Sequence, residues 1–107
     1  MNLWYTLSMK ITIASIKKQV LPLCKKYDLK KLALFGSQVK GNIHKDSDID
    51  LLVEPPSNLG LIRFAGIQLE FKKLFKQNVD LVTYNSLSKY MKDEILQSAY
   101  TLYEDKN

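Results

Sequence analysis

The 107-residue chain predicts an α/β (α+β) domain, a mixed β-sheet with helices packed on it. Segments of three- and four-residue apolar spacing alternate with short runs rich in Leu, Val and Ile. Their order is helix–strand–strand–helix–strand–helix–strand. No repeat, low-complexity tract or flexible linker interrupts it. At 46% hydrophobic and 25% charged residues, the chain has room for one core and no second domain. A large substrate must therefore sit outside it or on a partner.

Each element has its own signal. From Ile11 to Tyr27, the apolar positions Ile13, Ile16, Val20, Leu23 and Tyr27 alternate with Lys17, Lys18, Lys25 and Lys26, as an amphipathic helix requires. Pro22, lacking a backbone donor, is expected to kink this helix or divide it in two, and Asp28 closes it. Leu32 to Phe35 is a short apolar strand that ends at Gly36-Ser37. Ten polar-rich residues, Gln38 to Ser47, lead to a second strand, Asp48 to Val53. Pro55-Pro56-Ser57-Asn58 stops that strand, because proline cannot donate to a ladder, and offers Ser or Asn to cap the next element.

Leu59 to Lys76 reads as the second long helix. Phe64, Ile67, Phe71 and Leu74 form one stripe, with Ile62, Ala65 and Leu69 beside it, so wide a face that the whole of it is expected against the sheet. The aromatic positions Phe64, Phe71 and Phe75 read as core. Asn78 marks a turn into a third strand, Val79 to Thr83. Asn85, Ser86 or Ser88 can cap a helix reaching about Gln97, and Tyr100 to Tyr103 alternates as a short strand does. Met9-Lys10 reads well as a start, so residues 1–8 are set apart as a leader, an upstream start or a vector remnant, and 9–107 is the single domain.

Composition removes several function classes. The net charge is +5, yet Arg63 is the only arginine among 16 cations, and scattered lysine suits a solvated surface better than base or phosphate recognition. Direct nucleic-acid binding is not expected. Cys24, the single cysteine, excludes an internal disulfide and a multi-cysteine zinc site and reads as a small buried hydrophobe. No stretch approaches the roughly 20 apolar residues of a membrane span, and Met1 to Met9 lacks the basic region of a secretory signal. A cytoplasmic protein is expected.

The acids carry the chemistry. Asp48 and Asp50 occupy alternate positions of an otherwise buried-looking strand, so their side chains leave the same face about 7 Å apart. Aspartate is depleted in strands, and an ionised carboxylate in apolar surroundings is costly unless compensated. A divalent cation is the natural compensation. Asp80, flanked by Val79, Leu81 and Val82, repeats the anomaly. If the two strands are neighbours, three carboxylates converge on an oxygen-rich site of the kind that suits Mg²⁺ together with water and phosphate oxygens. Gly36-Ser37 directly follows a strand. Glycine lets the backbone approach a phosphate, and Ser37 can hold an anion if it opens a helical turn. Acids beside phosphate donors are the apparatus of nucleotidyl transfer.

Gly36-Ser37, ten residues, then Asp48-x-Asp50 resembles the signature of the polymerase-β-like nucleotidyltransferase superfamily. In extended form, Leu34 to Gly41 and Ser47 to Val53, with Val79-Asp-Leu-Val82 as the later acidic strand, it resembles the minimal nucleotidyltransferases, and the likeness runs from about Ile11 to Glu104. The resemblance implies a polymerase-β-like nucleotidyltransferase core and an antitoxin that transfers AMP from ATP to a tyrosine of a HEPN ribonuclease toxin. It makes Asp48 and Asp50 ligands of two Mg²⁺ ions, and Asp80 a ligand of the catalytic ion and the base for the acceptor hydroxyl. Gly36 and Ser37 would hold the β- and γ-phosphates, with Lys40 as a further phosphate contact. Gln38-Val39-Lys40 departs from the Arg-Ala-Arg usual in the family: Lys40 keeps a cation without the planar fork, and Gln38 has no charge. Two rivals stay open, a small-molecule (antibiotic-type) transferase subunit and an antitoxin that neutralises its partner by binding alone. Homo- and hetero-oligomers are both compatible with the sequence. His44 and Lys45 read as solvated loop residues, Asp46 as a turn acid, and Glu54 as either the wet end of its strand or a neighbour of the site.

Overall fold

A computed structural model describes residues 3–36 and 48–105, with side chains described from residue 14 onward. The chain forms α1 (Leu3–Lys26), β1 (Lys31–Phe35), β2 (Ile49–Glu54), α2 (Leu61–Phe75), β3 (Val79–Thr83), a 3-10 turn (Tyr84–Ser86), α3 (Lys92–Ser98) and β4 (Tyr100–Glu104). The four strands make one mixed sheet in the order β3-β2-β1-β4. β1 pairs antiparallel with both β2 and β4, whereas β2 and β3 run parallel and are joined through α2. The predicted element order and sheet class are those observed.

Strand parity sorts the side chains. Leu32 and Leu34 of β1, Ile49, Leu51 and Val53 of β2, and Val79 and Leu81 of β3 belong to one core with Ile16, Val20 and Cys24 of α1 and Ile67 and Phe71 of α2. The α1 members recur every four residues, so one helical stripe is dry while Lys17, Lys18, Lys25 and Lys26 stay in water. Cys24 is fully buried, and desolvation pushes its thiol up to about 12.

Several local expectations are corrected. Of the two outcomes expected at Pro22, a kink or a division, division does not occur, and the helix continues to Lys26. The proline is on an exposed position, so the single carbonyl it leaves without an amide partner can face water. That helix also begins earlier than the periodicity indicates, at Leu3. Neither Ser57 nor Asn58 caps α2. Its N-cap is Gly60 in an extended conformation with no side-chain bond, and Lys76, at φ 55°, closes the other end by donating its N–H to the Lys72 carbonyl. α2 is amphipathic rather than sheet-bound across its full apolar width, because Ile62, Ala65 and Leu69 are exposed beside the buried Ile67 and Phe71. The last helix starts at Lys92 behind Met91, with no side-chain cap at its N-terminus. Ser88 instead accepts a hydrogen bond from the Tyr90 amide in the preceding turn.

Candidate active site

The opposite parity builds the other face of the sheet. Asp50 and Leu52 alternate with the core residues of β2, and Asp80 and Val82 with those of β3. In the parallel β2–β3 ladder, Asp50 is the register partner of Asp80, so the two carboxylates leave adjacent strands on the same side at the same level. Adjacent strands lie about 4.8 Å apart, which brings the two side chains within reach of one cation. Asp48 stands one residue before β2 rather than inside it, and its charge still acts on Asp50. The strand neighbourhood on which the role of Asp80 depends is therefore present.

Backbone bonds hold this end of the sheet in place. The Ile49 amide donates to the Asn78 carbonyl at 2.9 Å, tying the start of β2 to the residue before β3. The Gln68 side-chain amide donates to the Val79 carbonyl, also at 2.9 Å, anchoring the residue next to Asp80 from α2. Sequence alone does not single out Gln68. A half-buried glutamine between apolar helix positions gives no chemical signal, and its partner is a backbone atom eleven residues on. Gly36 follows Phe35, the β1 residue paired with Asp50, and adopts φ 84°. A side chain is strained there, so glycine is required for the turn that leaves β1 beside the carboxylates. Ser37, Gln38, Val39, Lys40, His44, Lys45 and Asp46 lie outside the described residues.

Electrostatics make Asp50 the centre of the array. Burial first, then the negative charges of Asp80 and Asp48, push its carboxyl above the ordinary carboxylate range. Every influence resolved on Asp50 opposes its charge, and a bound dication would reverse that balance. The donor set fits such an ion. It consists of hard carboxylate oxygens, the chemistry of Mg²⁺ rather than of a soft metal. Among the described residues, no three Asp, Glu, His or Cys side chains are already gathered into a metal cage.

Glu54 takes the alternative of the wet strand end. It is exposed at the far end of β2, paired in register with Lys31, and away from the three aspartates. Among the described residues, no helix is long and apolar enough to cross a membrane.

Comparison with known proteins identifies relatives of the chain. The family model described as "Polymerase beta, Nucleotidyltransferase" matches residues 18–107. A relative from Aphanizomenon flos-aquae, the protein adenylyltransferase MntA, is 35% identical over 105 residues, covering 88% of this chain and 70% of its own. A solved structure provisionally described as a minimal nucleotidyltransferase superposes with a TM-score of 0.72 at 30% identity, covering 82% of this chain and 90% of the other. The antitoxin fold is shared more distantly. A Shewanella oneidensis complex of a tri-AMPylated HEPN toxin with its MNT antitoxin gives a matching chain at TM-score 0.66 and 20% identity, over 88% of this chain and 74% of that one.

Proposed function

The chain belongs to the polymerase-β-like nucleotidyltransferase family, and from that premise we propose that it is a Mg²⁺-dependent protein adenylyltransferase that silences a HEPN-type toxin by moving AMP from ATP onto a tyrosine. The observation that supports this most is the in-register Asp50–Asp80 pair beside Asp48, on the face of the sheet away from the core. The A. flos-aquae relative bears the adenylyltransferase name, and the S. oneidensis antitoxin of the same fold sits with an AMPylated HEPN toxin. Both support the choice of acceptor.

The residues divide the reaction among them. Asp48 and Asp50 would hold the metal ions, and Asp80 would share the catalytic one. When bound, such ions polarise the phosphate oxygens and offset the charge that develops in transfer. Asp80 accepts the proton of the tyrosine hydroxyl as its oxygen bonds to the α-phosphorus. The bond from the α-phosphorus to the bridging oxygen breaks, and pyrophosphate leaves with that electron pair. Gly36 and Ser37 hold the outgoing β- and γ-phosphates, with Lys40 as a further cation for them. Gly36 contributes the conformation, since a φ of 84° turns the backbone at the end of β1 without a side chain in the way. The core residues of β2 and β3 keep Asp50 and Asp80 at one level, so that this pair does not have to be assembled during the reaction.

Mass spectrometry of a co-expressed HEPN partner tests the reading. Wild type is expected to add AMP-sized increments to a tyrosine, and Asp48→Asn to leave the partner unmodified. Equal modification by the two proteins would exclude the mechanism.

A further inference from the structure

Most of the large apolar side chains that stand in water among the described residues lie on two segments. On α2, Leu61, Ile62 and Leu69 are 89%, 90% and 58% exposed, and in the arm between β3 and β4, Tyr90, Met91 and Leu96 are 95%, 55% and 39% exposed. Their positions relative to the carboxylates differ. α2 packs its buried stripe on the core face, so its outer stripe looks away from the sheet on the side opposite Asp50 and Asp80.

The arm belongs to the carboxylate side. It leaves β3, the strand of Asp80, through Tyr84–Ser86. The Lys31 ammonium lies 5.6 Å from the centre of the Tyr84 ring, and Glu54 and Glu104 raise the Tyr84 phenol behind the larger effect of burial. Lys31 and Glu54 have the parity of Ala33 and Asp50, which puts the Tyr84 ring on the carboxylate face. The arm must then cross from the β3 edge of the sheet to the β4 edge. It ends at Tyr100, which pairs with Leu34, itself paired with Leu51 next to Asp50. The arm thus starts over one end of β2 and finishes at the level of the carboxylates.

The helical part of the arm is the least buried. α3 buries none of its seven residues, and Ser98 spends its hydroxyl on the carbonyls of Glu94 and Ile95 in its own helix. Tyr90, Met91 and Leu96 are thus large apolar side chains exposed along an arm on which Lys89, Lys92, Asp93 and Glu94 are exposed as well, a mixture of apolar and charged groups that suits a protein interface.

We propose that this arm is the platform on which the acceptor protein docks, with Tyr90, Met91 and Leu96 as its apolar anchors. The occupant is set by the reaction, so the inference rests on the adenylyl-transfer reading. A tyrosine hydroxyl carried by another folded protein must reach Asp50 and Asp80, and the body behind it needs a surface bordering that face. The arm borders it and the α2 stripe does not. Tyrosine is among the residues that dominate binding energy at protein interfaces, and methionine is enriched there.

The test uses the full chain and a purified HEPN partner, with binding measured by calorimetry and transfer by intact mass. Tyr90 is 95% exposed, so Tyr90→Ser leaves the fold intact, and with Met91→Ser and Leu96→Ser it removes the platform. Tyr90→Ser is expected to weaken partner binding at least tenfold and the triple variant to abolish it. Under the same conditions, the affinity for ATP with Mg²⁺ stays at the wild-type value. The acceptor KM should rise with little change in kcat for Tyr90→Ser. Leu61→Ser with Ile62→Ser should bind and modify the partner as wild type does. Wild-type binding and transfer by the Tyr90→Ser and triple variants would overturn the proposal, as would loss of binding only in the α2 variant or a wild type that never binds the partner. A wild type that binds through the arm yet adds no AMP would overturn the adenylyl-transfer reading and leave the docking surface standing.

Discussion

The two faces of the sheet are made from the same strands and serve opposite ends. Toward α1 and α2, Ile49, Leu51, Val53, Val79 and Leu81 meet Val20, Cys24, Ile67 and Phe71 in a buried apolar core. Toward the other side, Asp50 and Asp80 stand level with one another, and burial and mutual repulsion push Asp50 up. Residues adjacent in sequence, Asp50 and Leu51, are therefore separated by their roles. The strand period of two is what allows a domain this small to place stability and chemistry back to back. The core face fixes the strand register, and the register places the carboxylates.

Substitutions on each side should break the two functions separately. Asp80→Asn is expected to lower AMP transfer by about a thousandfold or more, through loss of a metal ligand and base, with little change in melting temperature. Enzyme assay and thermal denaturation of the same sample would show it. Phe71→Ala, on the other face, should cost about 3–5 kcal/mol in denaturant unfolding because it opens a cavity in a fully buried site. Its folded fraction should keep the wild-type affinity for ATP.

A pH titration sharpens the core side further. The Cys24 thiol ionises near its ordinary value of 9.0 in the unfolded chain but is pushed up to about 12 in the fold. Between those values the unfolded state loses a proton that the native state keeps. Stability should therefore be unaffected by this group below pH 9 and fall by about 1.4 kcal/mol per pH unit above it. Cys24→Ala should remove that component of the decline in urea unfolding measured from pH 8 to 10.

Gln68 connects the two faces, since it projects from α2 to the Val79 carbonyl beside Asp80. Gln68→Leu should cost about 1 kcal/mol and reduce transfer several-fold by loosening the start of β3, with ATP affinity less affected. The smallest effect belongs to the surface cluster where Lys26 meets Glu70 at 3.1 Å and the Tyr27 hydroxyl donates to the same carboxylate. The Tyr27 hydroxyl bond and then that of Lys26 hold Glu70 below its ordinary value. The contribution is thus present above the carboxylate range and lost as pH falls through the lowered value. Glu70→Gln should change neutral stability by no more than about 0.5 kcal/mol, read from the urea midpoint, and leave transfer unchanged.

Legibility in the sequence divides along similar lines. Element order, the mixed sheet and the burial of Cys24 could be read because each depends on a pattern within a strand or helix. Aspartate in an apolar strand is a conspicuous exception, but the convergence of Asp50 with Asp80 could be read only on the condition that their strands are neighbours, which the β2–β3 pairing supplies. The exposure of Ile62, Ala65 and Leu69 could not. A wide apolar helical face looks the same whether the sheet beneath it is broad enough to cover it or, as here, leaves part of it in water. Capping misleads for a similar reason. Ser57 and Asn58 have the right chemistry, yet the chain continues through Leu59 to Gly60 before α2 begins. Gln68 and the carboxylate-side position of the arm depend on partners distant in the chain, which local spacing does not encode.

The most direct measurement is the rate of labelled AMP transfer from ATP to the purified HEPN partner by wild type and Asp50→Asn, at equal folded concentration with the melting curve of each recorded. Asp50→Asn should be folded and at least as stable as wild type, because it removes a carboxylate opposed by burial and by two like charges, while its transfer falls to background. Labelling of the partner by Asp50→Asn at the wild-type rate would contradict the assignment of this face of the sheet to catalysis.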